Sequence, residues 1–336
     1  MTRPDRRLSV APMMDWTDSL DRRFLRLITK RSLLYTEMVT AQALIHGNVD
    51  SLLAFDPVEE PLALQLGGGE PELLAKATRI ASGRGFAEIN LNVGCPSDRV
   101  SAGRFGACLM TEPDTVAACV AAMAGATDLP ITVKHRIGVD DTDHYDDLHA
   151  FVSKVAEAGC RTFIVHARKA WLSGLSPKEN RVVPPLRHDV VHRLKADFPK
   201  LEIIINGGLL SLDAALEHIG PLDGAMIGRA AYETPYILAG ADTRVFGADG
   251  SVPSRGEIVE ALAELAATVV AEGIPLARLT RHVLGLFHGC PGAKVWRRML
   301  GEDARLAEWN GPAAPELVRK AAAAVPEDLC CERPEI

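Results

Sequence analysis

The sequence has 336 residues, 47% of them hydrophobic and 24% charged, which suits either one α/β barrel or a barrel with a smaller appended domain. No run of about 18 apolar residues occurs, and the amino terminus "MTRPDRRLSV" lacks the apolar core of a secretory signal, so we expect a cytoplasmic protein with no membrane contact. The net charge of −7 weighs at first against a nucleic-acid partner.

Eight short apolar runs, separated by helical stretches such as "PELLAKATRIAS", recur along the first 230 residues. Most are apolar nearly throughout, as strands covered on both faces are. Eight β-α units predict a (β/α)8 TIM barrel, with an open doubly wound sheet as the weaker alternative. The predicted strands span residues 8–13, 33–39, 62–67, 88–94, 131–138, 162–168, 202–208 and 224–230.

The texture of the sequence changes after residue 240. The stretch "GADGSVPSRG" is typical of a linker, and "GEIVEALAELAATVVAEG" has the apolar spacing of a helix that ends near Gly273. Pro275 suits the first turn of a second helix. We predict a barrel over 1–240, a linker over 241–255, a small C-terminal helical domain over 256–323 and a loose polar tail over 324–336.

Seven cysteines without CxxC spacing predict neither a disulfide framework nor a zinc cluster. No His/Asp/Glu group has the spacing of metal ligands, and the acidic stretch "DDTDHYDD" is more typical of a solvated turn, so we predict no metal site. Cys330 and Cys331 are adjacent near the carboxyl terminus and have no predicted role.

Positive charge is concentrated in two segments. Residues 161–200 hold nine Lys/Arg against three Asp/Glu, and residues 275–300 hold five against none, a combined +11 that leaves −18 on the rest of the chain. Such a distribution can steer a polyanion to one face, although the same charges also suit ordinary solvated helix faces.

Polar or reactive residues follow nearly every predicted strand. In a barrel these positions line the face where active sites are built, although any strand end tends to turn polar. The set comprises Met13, Met14, Glu37, Gln65, Asn92, Cys95, Lys134, Arg136, His166, Arg168, Asn206 and Arg229.

Two glycine-containing strand ends, "INGG" at 205–208 and "IGRA" at 227–230, follow the seventh and eighth runs. Barrels often bind phosphate there because glycine lets backbone N–H groups approach the oxygens, and Arg229 would add an ion pair. Barrel turns also need glycine for other reasons. The triplet at 67–69 lacks GxGxxG spacing, which argues against a Rossmann site.

A phosphate at that end leaves the barrel mouth for a ring system. Gln65 offers both a donor and an acceptor to an imide edge, and Lys134 is suited to neutralising a reduced ring. His166 alone is more typical of a hydrogen-bonded barrel histidine, but its place beside Lys134 and Arg168 favours a cofactor role.

The motifs "APMMDWTD", "YTEMV", "LQLGGGEP", "INLNVGCPS", "GACLM", "VKHRIG", "VHARKAWLSGLSPKENRVVPPL", "NGGLLSLDAAL" and "GAMIGRAAYETPY" resemble those of the tRNA-dihydrouridine synthases. The segment "KAWLSGLSPKENR" is similar to the A subfamily, whose members reduce uridines 20 and 20a of the tRNA D-loop. The resemblance implies an FMN-bearing barrel, a helical domain that grips tRNA, and NADPH as reductant. No protein partner is expected.

Carried over to matching positions, the resemblance implies a role for each site residue. Cys95 is the catalytic proton donor. The flavin-binding residues are Pro12, Met13, Met14, Gln65, Lys134, His166, Asn206, Gly207, Gly208, Gly228 and Arg229. Asn92 contacts the target base, and the other substrate or tRNA contacts are Arg136, Arg168, Lys178, Arg181, Lys294 and Arg297.

Reducing a uracil C5–C6 bond calls for a hydride at C6 and a proton at C5. A thiol, ordinarily titrating near pH 8.5, is a better donor at neutral pH than an ionised carboxyl group. Cys95 as a packed thiol remains an alternative, whereas a redox role lacks a CxxC partner. At the level of the whole protein, the alternatives are a flavin barrel reducing a small pyrimidine or enone and a non-catalytic tRNA-binding module.

Overall fold

The computed structural model describes residues 4–97 and 103–334, and within them eight parallel strands form one sheet. Each strand pairs with its sequence neighbours in the order β1-β8-β7-β6-β5-β4-β3-β2. A parallel bridge between Ser9 and Leu33 brings β1 back beside β2 and nearly closes the ring. The predicted (β/α)8 barrel is confirmed, and the doubly wound alternative is wrong. The strands are β1 (Leu8–Val10), β2 (Leu34–Thr40), β3 (Leu62–Gly67), β4 (Glu88–Val93), β5 (Ile131–Arg136), β6 (Thr162–His166), β7 (Glu202–Asn206) and β8 (Gly224–Ile227).

The strands are shorter than several of the apolar runs that predicted them. β1 ends at Val10 and β8 at Ile227, although the runs continue to residues 13 and 230. The chain turns there, because the carbonyl of Met13 accepts from the backbone of Thr17 at 2.9 Å and that of Gly228 from Ala231 at 2.9 Å. The residues beyond β1 therefore belong to a loop at the carboxyl end of the barrel, and those beyond β8 to the turn at Gly228 and the start of the helix Arg229–Glu233.

Buried charges pair at the opposite, amino end of the barrel. Arg6 donates to the carboxylate of Glu88 at 2.5 Å and to that of Glu202 at 3.0 Å. The hydroxyl of Tyr35 donates to Glu88 at 2.6 Å. Because each buried charge has an opposite partner, this end of the barrel is closed by ion pairs.

Helices alternate with the strands and continue after β8. Their bounds among the described residues are α1 (Ser19–Ile28), α2 (Ala41–His46), α3 (Val49–Leu52), α4 (Pro71–Ala81), α5 (Pro113–Ala124), α6 (Tyr145–Glu157), α7 (His188–Asp197), α8 (Leu212–Leu216), α9 (Arg229–Glu233), α10 (Ala241–Arg244), α11 (Arg255–Ala271), α12 (Leu276–Val283), α13 (Ala293–Gly301), α14 (Ala314–Ala322) and α15 (Glu327–Cys331). None of these helices combines the length and apolar character needed to cross a membrane.

The C-terminal region is helical and packs on the barrel. α11 lies against α14, and both α11 and α12 contact α1 of the barrel. Trp296 is fully buried between these helices and donates to the carbonyl of Val283 at 3.1 Å. Arg23 on α1 pairs with Glu272 at 2.9 Å, which joins the two parts of the molecule. The division at residues 240 and 256 stays a prediction.

The segment predicted as a loose tail is docked through its first part. α15 packs Leu329 and Cys330 against the hydrophobic core. The carbonyl of Glu332 accepts from the hydroxyl of Tyr236 at 2.9 Å, and Arg333 donates to Glu257 at 2.7 Å. The polar composition concealed two side chains that pack inward, and Cys330 thereby gains a packing role.

Candidate active site

The carboxyl ends of the strands bring the predicted site residues together. In the sheet register Asn92 lies opposite Lys134, and His166 lies opposite both Arg136 and Asn206. The ammonium of Lys134 donates to the side-chain oxygen of Asn206 at 3.0 Å, spanning from β5 to β7. Residues separated by more than 100 positions in the sequence thus form one barrel mouth.

The Asn92 side chain fixes the backbone that carries Cys95. Its amide oxygen accepts from the backbone N–H groups of Gly94 and Cys95, both at 3.0 Å. Its amide nitrogen donates to Gln65 Oε1 at 2.9 Å. Asn92 therefore links the Cys95 loop to the neighbouring strand β3.

A chain of hydrogen bonds continues from Gln65 into the barrel. Gln65 Nε2 donates to Asn90 Oδ1 at 2.8 Å, and Asn90 Nδ2 donates to Thr132 Oγ1 at 2.8 Å. The hydroxyl of Thr132 donates to the carboxylate of Glu88 at 3.0 Å. We call the five side chains Asn92, Gln65, Asn90, Thr132 and Glu88 the amide chain.

The direction of the amide chain is fixed from both ends. Two backbone N–H groups at the mouth only donate, and the carboxylate of Glu88 accepts from Arg6 and Tyr35 as well as from Thr132, so both ends impose the same amide orientations. Each primary amide nitrogen has two hydrogens, of which the chain uses one. Asn92 and Gln65 can therefore each offer one further donor, while the Asn92 oxygen is already occupied by two N–H groups.

Cys95 lies partly buried in the loop after β4. Its thiol is 3.6 Å from the hydroxyl of Ser97, and its carbonyl accepts from Ala107 at 2.9 Å. Cys95 interacts electrostatically with Lys134, Arg136 and Arg181, so positive charge surrounds the sulfur. All seven cysteines are free.

Two titratable groups in the mouth have pKa values below their ordinary ones. Burial, reinforced by Arg136, lowers the pKa of Lys134 to about 7. Burial also lowers the pKa of His166 well below its ordinary value, with Arg136 and Lys134 adding to the effect. A partly buried lysine whose side chain contacts a neutral amide is a ready site for a negatively charged group.

The loop after β7 requires glycine at two positions. Gly207 has φ +105° and Gly208 has φ +76°, and a Cβ at Gly207 would lie 2.6 Å from His166 Cδ2. Asn206 is held by donation from Nδ2 to the carbonyl of Met226 at 2.7 Å. Arg229 follows Gly228 on the next strand end and is partly exposed. Glycine is required at these positions by the left-handed backbone and by the close packing against His166 and Leu186.

The loop after β6, residues 168–186, is built around the buried side chain of Asn180. The Asn180 oxygen accepts from Trp171 N at 2.7 Å, and its nitrogen donates to the carbonyls of Trp171 at 2.9 Å and Leu175 at 3.2 Å. Arg168 contacts the carbonyls of Val182 and Pro184 from within the loop. We call this segment the β6 loop.

The sequence model of the family described as Dihydrouridine synthase (Dus) matches residues 9–322. The chain belongs to the dihydrouridine synthase family. It is 55% identical to the tRNA-dihydrouridine(20/20a) synthase of Vibrio parahaemolyticus over 96% of this chain and 98% of the relative. The synthase of the same name from Synechocystis sp. is 54% identical over 94% and 93%, respectively. The family resemblance drawn from the motifs is confirmed.

The remaining tRNA-contacting residues that the sequence predicted occupy two places. Lys178 and Arg181 are exposed on the β6 loop at the barrel mouth. Lys294 and Arg297 are exposed on α13, one turn apart and on either side of the buried Trp296. All four are accessible, and their roles toward tRNA remain predictions.

The loop after β1 carries the predicted ring-backing residues. Pro12 and Met13 are partly buried, whereas the Met14 side chain is 54% exposed. Asp15, with φ +65°, donates its N–H to the carboxylate of Glu37 at 2.5 Å. Burial raises the pKa of Glu37. On this side of the mouth the loop after β1 forms a strained turn that is hydrogen-bonded to Glu37 of β2.

Sequence reasoning missed four residues that organise the dihydrouridine synthase site. Glu88 and Asn90 precede Asn92 on β4 at steps of two, so the alternation of a strand places all three on the inner face. That spacing could have identified them. Thr132 precedes Lys134 on β5 at the same step of two, so its place on the inner face could also have been identified. Asn180 carried no comparable signal, because its partners Trp171 and Leu175 meet it only once the β6 loop has folded around it.

Proposed function

We propose that the protein is a tRNA-dihydrouridine synthase that reduces the C5–C6 bond of uridines 20 and 20a in the tRNA D-loop. In this proposal FMN is the bound cofactor, NADPH is the reductant and the enzyme works in the cytoplasm. Support comes from the family and from relatives that bear the tRNA-dihydrouridine(20/20a) synthase name and match nearly the full length of the chain.

The observation that carries the proposal is the meeting of a thiol, an amide chain that presents free donors and a partly buried lysine in one barrel mouth. Cys95 and Asn92 are joined by a 3.0 Å hydrogen bond, and Asn92 lies opposite Lys134 in the sheet. Uracil reduction needs an acid, an amide that orients the uracil ring, and a cation beside the reduced flavin ring.

The residues present fit FMN. Gly207 and Gly208 have positive φ values and carry no side chains over their backbone N–H groups, so a phosphate could approach these groups, and Arg229 supplies a cation for it. At the other end of the mouth, the lowered pKa of Lys134 reflects desolvation of an ammonium without a carboxylate contact among the described residues. An anionic ring would restore its charge, and Gln65 would donate its free N–H to a ring carbonyl.

When bound, reduced FMN supplies the hydride that adds at C6 of the uracil. As the C5–C6 electron pair moves toward the C4 carbonyl, C5 becomes basic and takes a proton from the Cys95 thiol, leaving a thiolate. Asn92 donates its free N–H to the C4 oxygen, which is the carbonyl nearest C5. Lys134 and Arg136 place positive charge beside the sulfur.

The tRNA is held outside the mouth. A uridine in a folded elbow must be turned out to reach the barrel, as enzymes that act on bases generally require. Lys178 and Arg181 would contact phosphates near the flipped base, and Lys294 and Arg297 the body of the tRNA. Because uracil itself carries little information about its position, the shape of the tRNA selects the nucleotide.

The proposal is tested by the absorption spectrum of the purified protein. We expect flavin bands that NADPH bleaches and that unmodified tRNA restores, with dihydrouridine appearing in the tRNA. Binding of tRNA should weaken steeply with salt, since phosphate contacts release counterions. A preparation that remains colourless with added FMN would refute the proposal. Reoxidation by free uridine as efficient as by tRNA would instead favour the small-substrate reductase.

A further inference from the structure

Arg136 joins two loops that meet at the barrel mouth. It is the last residue of β5, and only 3% of its surface is exposed. Its Nε donates to the carbonyl of Gly94 at 2.9 Å, and its Nη1 donates to the carbonyls of Lys169 at 3.1 Å and Asn180 at 3.0 Å. One guanidinium therefore holds the residue before Cys95 and two points of the β6 loop.

The contacts of Arg136 differ from those of most buried arginines in the chain. Arg6 and Arg22 pair with carboxylates, at 2.5 Å and 2.6 Å. Arg136 forms no ion pair with a carboxylate of the described residues, and burial lowers its pKa to about 10. Burying a charge that is bonded to carbonyls and not to an opposite charge costs free energy. The position of these carbonyls therefore indicates what the contacts contribute. The planar fork of arginine can bridge carbonyls on separate segments, which a lysine cannot reproduce.

The two segments that Arg136 connects carry different functions in the proposed enzyme. Gly94 directly precedes the thiol that donates the proton, and Asn180 lies between Lys178 and Arg181. The Asn180 side chain ties Trp171 and Leu175 to the same point, so the β6 loop is internally braced where Arg136 holds it. A displacement of the braced loop is therefore transmitted to the backbone beside Cys95.

We infer that Arg136 is a positioning residue, which aligns the Cys95 loop with the tRNA-contacting β6 loop. This inference rests on the proposed function. It replaces the role of tRNA ligand that the family resemblance implied for Arg136. Three of its five N–H groups are engaged with backbone carbonyls, so at most the Nη2 end could reach a substrate.

The two roles predict opposite kinetic changes in an Arg136→Lys holoenzyme. A positioning role predicts that reoxidation of the reduced enzyme at saturating tRNA slows by about 100-fold, the cost of roughly 1 Å of misalignment. The Kd for tRNA and the salt dependence of binding should stay within about twofold of the parent values, and reduction by NADPH should be unchanged. Lys178→Ala should do the reverse, weakening tRNA binding and lowering the salt slope by about one.

Arg26 provides a matched control for a purely structural effect. It is 1% exposed, its pKa is likewise lowered to about 10 by burial, and its guanidinium donates only to backbone carbonyls, including those of Glu59 and Ser32. These contacts lie away from the mouth. We expect Arg26→Lys to lower thermal stability as Arg136→Lys does but to leave the reoxidation rate of folded enzyme unchanged.

Limited trypsin digestion gives a readout that is independent of activity. Loss of the Arg136 contacts should free the β6 loop and speed cleavage after Lys178 or Arg181 by about tenfold, whereas Arg26→Lys should not. If Arg136→Lys does not fold, Arg136→Gln replaces it, with the same expected split between rate and affinity.

Two results would overturn the inference. One is weaker tRNA binding with an unchanged rate at saturation, which would make Arg136 a tRNA ligand. The other is a loss of rate that Arg26→Lys reproduces. Failure of the parent enzyme to be reoxidised by tRNA would refute the proposed function itself, and the trypsin comparison would still test whether Arg136 braces the β6 loop.

Discussion

Asn92→Asp changes the hydrogen-bonding character of the barrel mouth while keeping the side-chain size. In the parent chain the Asn92 oxygen is occupied by two backbone N–H groups at 3.0 Å, so only a donor remains for the base. The aspartate would keep an oxygen for those N–H groups and present a charged acceptor in place of the donor. The parent should therefore prefer uridine, whose C4 oxygen accepts, and the variant should prefer cytidine, whose C4 amino group donates.

The size of the change follows from the pairing at C4. Two facing acceptors leave a buried polar group unsatisfied, at a cost of about 1–3 kcal/mol, or about 5- to 150-fold in affinity. We expect the ratio of affinities for tRNAs with uridine or cytidine at the target position to shift toward cytidine by this amount. The assay is equilibrium binding of the two transcripts to oxidised enzyme, where no turnover occurs.

The amide chain gives this prediction an internal control. In the parent chain Gln65 Oε1 lies 2.9 Å from the Asn92 amide nitrogen. In Asn92→Asp this oxygen would face a carboxylate oxygen, and because both only accept, the side-chain amides of Gln65 and Asn90 must rotate by about 180°. The Thr132 hydroxyl must then donate to Asn90 in place of Glu88. Thr132→Val cannot do so, and it should destabilise the Asn92→Asp protein more than the parent, by about 0.5–3 kcal/mol of coupling in urea unfolding.

Thr132→Val alone should retain the preference for uridine, because the backbone N–H groups at the mouth still orient Asn92. A parent-like preference for uridine in Asn92→Asp, within about twofold, would refute the assignment of Asn92 as a donor to the base. Additive effects of the two substitutions on stability would refute the fixed direction of the amide chain.

Three further predictions concern the thiol, the lysine and the glycine loop. Cys95→Ala should be reduced by NADPH at the parent rate but form dihydrouridine at least about 100-fold more slowly, and an equal yield would exclude Cys95 as the proton donor. For Lys134, whose pKa is about 7 when folded and near 10.5 when unfolded, the unfolded chain binds more protons between these values. The stability of cofactor-free protein should thus rise with pH relative to Lys134→Met, by up to about 1.4 kcal/mol per pH unit in urea titrations, and parallel curves would contradict the lowered pKa. Gly207→Ala, at φ +105° and 2.6 Å from His166, should cost about 1–3 kcal/mol in stability and weaken FMN binding, measured by flavin fluorescence; an unchanged Kd would remove this loop from the cofactor site.

The barrel could be predicted from sequence because its strands are covered on both faces. All six residues of β3 are buried, and a short, nearly continuous apolar run bounded by polar residues is typical of such a strand. The grouping of Gln65, Asn92 and Lys134 also followed, since parallel strand ends meet on one face of a barrel. Each of these side chains lies at or near the carboxyl end of a predicted strand, and that position can be identified from the sequence alone.

The partners of the site residues could not be predicted in the same way. The family resemblance implied a substrate or tRNA contact for Arg136, but the direction of its side chain is determined by carbonyls 33 to 44 residues away. The orientation of the Asn92 amide depends on which side chains the register of β3, β4 and β5 places beside it. Residue type alone does not reveal that register. The docking of the tail was missed for a related reason, because Leu329 and Cys330 are too few to form a pattern.

The docked tail restrains the helical region at a fixed distance from the barrel mouth. The hydroxyl of Tyr236 lies 3.1 Å from the carbonyl oxygen of Pro253, just before α11, and 2.9 Å from that of Glu332, just after α15. Held at both ends, the helical region carries Lys294 and Arg297 at a set span from Cys95. If Lys294 and Arg297 bind tRNA as proposed, this fixed span would select the nucleotide of a rigid RNA that lies at the matching distance from the bound end.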